Sequence, residues 1–99
     1  MKSKILIIET EIRIFNSGSL KDKRRLQRKI TDRLKASHNI SIAAIGQQDL
    51  WNVIGLTIAY VALDQSIALQ KAVALENHIC RILEQDGNGE ISCFSSEII

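Results

Sequence analysis

An α+β domain is the fold class this sequence predicts, with four strands and two helices in the order β-α-β-β-α-β. Residues 4–15 and 52–63 are long runs rich in β-branched side chains that alternate between two faces. Residues 19–37 and 64–85 instead repeat apolar side chains every three or four positions, the period of an amphipathic helix. Turn residues punctuate the joins, as at Asn16-Ser17-Gly18 and Asp86-Gly87-Asn88-Gly89.

The first strand, residues 4–15, places Leu6, Ile8, Thr10, Ile12 and Ile14 on one face. Ile5, Ile7, Glu9, Glu11 and Arg13 fall on the other, so the strand is buried mainly on one side. Ser19 is the predicted N-cap of the first helix. Ser19-Leu20-Lys21-Asp22 has capping-box spacing, with Asp where Glu or Gln is usual. That helix runs to about Ser37 on a core stripe of Leu26, Ile30 and Leu34. A second strand covers Asn39 to Gly46, and Gln47-Gln48-Asp49 connects it to a third from Asn52 to Leu63. The third is apolar on both faces, which predicts a central place in the sheet. Asp64 caps the second helix, whose stripe is Ala68, Ala72, Leu75, Ile79 and Ile82. Ile91 to Ile99 is the last strand. This order is the split-βαβ, ferredoxin-like pattern: two right-handed βαβ halves, both helices on one face of a four-stranded antiparallel sheet, and the first and third strands in its middle.

The 99 residues suit one domain, and a 45% hydrophobic share rules out a disordered tail. With only 4% aromatics, the core is built from Ile, Leu, Val and Ala. Cys80 and Cys93 sit in periodic segments and read as small buried thiols, not as a disulfide framework. The N-terminus offers Met-Lys-Ser-Lys and an apolar run that Glu9 ends, too short for a signal peptide or a membrane span. A cytosolic protein is the expectation.

Several arrangements that could carry chemistry are incomplete. Asp86-Gly87-Asn88-Gly89 looks like the middle of an EF-hand loop. In that register, however, Glu84 takes position one and Ser95 takes position twelve, where a bidentate Glu is required, so the segment reads as a turn. His38, at a helix end that favours a cation, and His78, within the second helix, have no Cys, Ser or carboxylate at a diagnostic spacing. Glu9 and Glu11 share a strand face and read as a solvated surface. No zinc spacing and no phosphate-binding glycine loop is present. The expectation is a protein without catalytic residues, metal or cofactor.

Charge carries more information. Eight Lys and Arg and two Asp lie between Lys21 and Lys35, a local net of +6. Outside that segment, five basic residues stand against nine acidic ones. With Ile30 at the centre of the buried face, Lys21, Arg28 and Lys35 fall opposite it, flanked by Arg24, Arg25 and Lys29. Such a ridge can neutralise phosphates without reading sequence; an ordinary solvated helix face is the alternative. The open sheet face, with Glu9, Glu11, Arg13, Thr57 and Ala59, is acidic and lacks the aromatics on which RNA-recognition modules of this topology stack bases. RNA is therefore expected on the helix. Leu69, Val73 and Cys80 form a second apolar line on helix two, roughly opposite its core stripe, and suggest a homo-oligomer contact. Trp51 either closes the end of the core, the favoured reading, or is an exposed anchor for a partner.

Two segments together, Ser19-Leu20-Lys21-Asp22-Lys23-Arg24-Arg25 after the first strand and Gln48-Asp49-Leu50-Trp51 before the third, resemble the YlxP-like family of small bacterial proteins, domain of unknown function 503. The resemblance spans essentially the whole chain. It implies a ferredoxin-like fold, no known enzyme activity and, because such genes often sit among translation and ribosome-maturation genes, a ribosome-linked role. Two positions depart from the pattern: Ala44 stands where an acidic residue is expected, which weakens any role for a carboxylate there, and His38 where an aromatic is common. The leading expectation is a non-enzymatic RNA- or ribosome-associated binding protein; the alternative is a protein-interaction module without nucleic-acid binding.

Overall fold

The computed structural model of the chain describes residues 2–16, 18–46 and 49–99. Its elements are β1 (Lys4–Ile14), α1 (Leu20–Ser37), β2 (Ser41–Ala44), β3 (Val53–Ala62), α2 (Gln65–Asp86) and β4 (Gly89–Ile98). The strands form one antiparallel sheet in the order β2-β3-β1-β4. This is the ferredoxin-like arrangement, and the apolar β1 and β3 occupy the centre. Ser17 of the first turn and Gln47 and Gln48 of the β2–β3 connection lie outside the described residues, and with them the first residue of the Gln48-Asp49-Leu50-Trp51 motif.

One core joins the six elements. Leu6, Ile8, Ile12 and Ile14 of β1 and Ile54, Leu56 and Ile58 of β3 meet Leu26, Ile30 and Leu34 of α1 and Ala68, Leu75, Ile79 and Ile82 of α2. The predicted stripes are thus the packed faces. Each helix starts where its side-chain cap predicts. Ser19 Oγ accepts from the Asp22 amide at 3.3 Å and an Asp64 carboxylate oxygen accepts from the Ile67 amide at 2.9 Å, satisfying donors that the helix leaves open. α2 ends at Gly87, whose φ of 73° is the left-handed conformation glycine adopts without strain.

Three departures from the sequence reading have local causes. β2 pairs only from Ser41 to Ala44, shorter than predicted, because the chain then crosses over β3 at Gly55. A Cβ at Gly55 would overlap the Ile45 carbonyl oxygen, so a glycine is needed for that close approach. β4 begins two residues earlier than predicted, since Gly89 pairs with Ile14. A bulge between Glu11 and Ile12 leaves Ser92 without a Cα partner on β1; beside it the buried Thr10 hydroxyl donates to the Cys93 carbonyl at 2.7 Å, which satisfies a polar group on the core face.

The turn after α2 does not gather its side chains toward one point. Asp86 is directed at α1, and Asn88 Oδ1 accepts from the Asn16 amide at 2.9 Å.

Candidate nucleic-acid interface

α1 keeps all its cations but Lys23 off the core face because Leu26, Ile30 and Leu34 fix which face is buried. Lys21, Arg24, Arg28 and Lys35 are exposed along the outer face, as the helical spacing predicts. Asp32 lies among them and Asp22 beside them; these two carboxylates are the acidic residues of the helix itself. Arg25 and Lys29 differ from the others. Both reach Asp86 at the end of α2, Arg25 Nη1 at 3.5 Å and Lys29 Nζ at 3.1 Å from the same oxygen. Burial pushes the Asp86 carboxyl up, but the Lys29 hydrogen bond and the charges of Lys29 and Arg25 outweigh it, holding the group below the usual carboxylate range. Two of the six predicted phosphate ligands are therefore already partnered within the chain.

Lys23 lies in the basic segment but does not belong to the ridge. It is buried, and its ammonium donates to the Leu50 carbonyl at 2.6 Å. Burial lowers its pKa most, with nearby Asp49 opposing and Arg24 adding to that effect. Its role is structural: it ties the start of α1 to the segment that leads into β3, and so brings the two family motifs together. A single lysine inside a charged run gives no sequence signal for this, although its place on the Leu26–Ile30–Leu34 side of the helical wheel does.

Trp51 does not close the core. It is 56% exposed, which overturns the favoured reading, because the register places it beyond the last helix-covered layer: Ile14 donates to the Asn52 carbonyl, and Phe15 and Trp51 follow on either side. Phe15, just past the end of β1, is 48% exposed and lines a recess with Arg13, Trp51 and Asn52. The alternation of β1 could have flagged it, as an aromatic just past the strand end.

The apolar line on α2 is not one continuous exposed strip. Leu69 and Val73 are about half exposed, but Cys80 is half-buried beside Leu83 and Ile91. Burial, then Glu76 and Glu84, push its thiol up. On the helical wheel Cys80 projects between Leu69 and Val73; Leu83 and Ile91, which line a recess with it near the end of α2, set it apart from them. Cys93 is exposed on the open sheet face, against the buried reading, because it follows the bulge that shifts β4.

The two histidines, which have no partner legible in the sequence, pair with each other. His38 Nε2 lies 3.0 Å from His78 Nδ1, and Lys71 Nζ lies 3.1 Å from His38 Nδ1. An ammonium only donates, so His38 Nδ1 accepts, its Nε2–H donates to His78, and both rings are neutral. Burial lowers both pKa values most. Lys71, His78 and Arg81 add to the effect at His38, and Arg81 and Arg33 at His78. The expected helix-end cation at His38 is thus a neutral ring, because the side chains around it are themselves cationic. Arg33 and Gln85 make a further tie between the helices at 2.9 Å.

Opposite the helices, the uncovered sheet face carries Glu9, Glu11, Glu90 and Glu97, with Arg13 paired to Glu90 at 3.9 Å. The molecule is therefore divided into a cationic helix ridge and an acidic sheet face. Among the described residues no group of three or more His, Cys, Asp or Glu is placed to hold a metal ion, and no helix is long and apolar enough to cross a membrane.

Fold and surface together define a small ferredoxin-like α+β protein with a basic outer helix. Residues 5–94 match the family described as a protein of unknown function, DUF503, and the chain belongs to it. It is 41% identical over 54 residues to the uncharacterized protein YlxP of Bacillus subtilis (strain 168), a match covering 54% of this chain and 59% of that protein. Among solved structures it is similar to the de novo designed protein Foldit4, with a TM-score of 0.58, 18% identity and 96% of each chain covered. It is also similar to the structural-genomics protein YJCS, with a TM-score of 0.57, 11% identity, and coverage of 94% of this chain and 96% of that one. At these identities the structural likenesses establish the fold alone.

Proposed function

We propose that this protein is a non-enzymatic, RNA- or ribosome-associated binding protein that holds RNA phosphates on the outer face of α1. One observation carries the reading: Lys21, Arg24, Arg28 and Lys35 stand exposed on one helix face, with Asp32 the one carboxylate among them, while Glu9, Glu11, Glu90 and Glu97 lie on the uncovered sheet face on the other side of the sheet. A polyanion is drawn to the helix side and repelled from the sheet. Arg25 and Lys29 extend the ridge when they exchange Asp86 for phosphate. The translation link implied by the family resemblance is consistent with such a partner.

The test is binding of the purified protein to total RNA and to ribosomal subunits over a salt series, beside a variant with Arg24, Arg25 and Arg28 changed to Glu. Binding that weakens steeply with salt and is lost in the variant is expected. A flat salt response, or no binding at low salt, would leave the ridge as a solvated helix face.

A second reading rests on the exposed Leu69 and Val73, whose apolar surface suits a subunit contact. It expects a defined oligomer at high salt that Leu69→Asp or Val73→Asp disrupts; a monomer at every concentration counts against it.

A further inference from the structure

The chain has four aromatic residues, Phe15, Trp51, Tyr60 and Phe94. Tyr60 and Phe94 pack against the core. Phe15 and Trp51 do not; both face solvent at the end of the sheet where β1 stops and β3 starts. Large aromatic surfaces left in water contribute nothing to the core, and here they flank one recess of about 410 Å3, a size within the range of small-ligand clefts.

The walls of that recess are held by the backbone. Ile14 donates to the Asn52 carbonyl at 2.8 Å, Phe15 donates to the Asn88 carbonyl at 3.1 Å, and Leu50, next to Trp51, is fixed by the buried Lys23. Arg13, which also pairs with Glu90 at 3.9 Å, lies over the Phe15 ring at 5.8 Å from its centroid and adds a guanidinium plane. Asn52 offers a side-chain amide with both donors and an acceptor. Lys23 sits between Lys21 and Arg24 in the first turns of α1, so its grip on Leu50 puts the recess and the N-terminal end of the cationic ridge at one end of the fold.

Two π faces, a guanidinium and an amide at the same end of the fold as the first α1 cations match one chemical class of ligand. Single-stranded RNA presents flat unpaired bases and a polyanionic backbone together. We infer that the recess between Phe15 and Trp51 is a stacking site for an unpaired base of single-stranded RNA, its neighbouring phosphates running toward Arg13 and the Lys21–Arg24 end of α1. The inference rests on the RNA-binding reading of the ridge and adds to it a preference for single strands over duplex. It moves the aromatic platform away from the sheet face, where the carboxylates stand, to the sheet's end.

Trp51 is the only tryptophan, so its fluorescence reports on this recess alone. The full chain is titrated at low salt with a labelled 12-nucleotide RNA of mixed sequence and with the corresponding duplex. The single strand quenches Trp51 and binds more tightly than the duplex. Trp51→Ala and Phe15→Ala, at exposed positions, each weaken single-strand affinity about 5- to 100-fold by anisotropy, the effect of losing one base–aromatic stack. Trp51→Phe, which keeps a π face, retains most of the affinity and covers the case in which the alanine variant folds poorly. Unquenched Trp51 fluorescence in the unmodified protein, with unchanged affinity in Trp51→Ala and Phe15→Ala and lost binding in Arg24→Glu/Arg28→Glu, would overturn the stacking site and leave the RNA reading standing. No binding of either RNA by the unmodified protein would overturn both.

Discussion

Asp86 engages two of the ridge cations, and removing its charge should change how the protein responds to salt. Lys21, Arg24, Arg28 and Lys35 stand exposed on the outer face, while Arg25, itself exposed, and the half-buried Lys29 share one oxygen of Asp86. Single-stranded RNA binding falls with a log–log salt slope of about −0.7 per neutralised phosphate, so four contacts give a slope of about −2.8 and six give about −4.2. Between 50 and 200 mM salt the first corresponds to a loss of about 50-fold and the second to about 300-fold. Asp86→Asn keeps the shape and a hydrogen-bond acceptor but releases both cations. The variant should bind RNA more tightly at low salt and show the steeper slope. Its stability cost is modest, about 1 kcal/mol or ~4–8 °C in Tm, because Arg25 is 57% exposed and its half of the pair is screened by water. Anisotropy with labelled RNA at four or five salt concentrations measures the slopes directly. Equal slopes for Asp86→Asn and the unmodified protein would refute the idea that Asp86 competes with phosphate for Arg25 and Lys29.

Gly55→Ala should destabilise the fold by about 1–3 kcal/mol, since the new methyl meets the backbone carbonyl of Ile45 and the crossing segment must move; a chemical denaturation midpoint like the unmodified protein's would contradict the close approach. The His38–His78 pair gives a pH dependence of definite sign. Both folded-state pKa values lie below the ordinary imidazole value of about 6.5, so the unfolded chain takes up protons first. The pair's contribution is complete above about pH 6.5 and is lost as pH falls through the folded values. Tm should drop on the acid side of pH 6.5, and a His38→Ala/His78→Ala variant should lose that part of the drop; parallel profiles for the two proteins would remove the pair from the explanation.

What the sequence made legible was whatever is written locally. The alternation of Leu6, Ile8, Thr10, Ile12 and Ile14, the period of Leu26, Ile30 and Leu34, and the caps at Ser19 and Asp64 depend on near neighbours, and each predicted its structural role. The outward face of the α1 cations followed from the same period. What was not legible depends on partners far along the chain. Asp86 lies 57 residues from Lys29, and His78 lies 40 from His38, so no spacing rule connects them. Lys23 looked like one more charge in a basic run until Leu50, 27 residues away, supplied its carbonyl. Hydrophobic size alone argues for burying Trp51, whereas the β1–β3 register places it past the end of the helix layer. The same register makes Phe15 its neighbour, a pairing that two segments 36 positions apart reveal only once the sheet is aligned.

The most direct measurement is co-sedimentation of the purified protein with ribosomal subunits and with total RNA at 50 and 200 mM salt, beside the Arg24→Glu/Arg25→Glu/Arg28→Glu variant. A cationic ridge that serves RNA predicts binding at 50 mM, a loss of about 50-fold or more at 200 mM, and none in the variant. Equal binding by both proteins, or no binding by either at 50 mM, would contradict it.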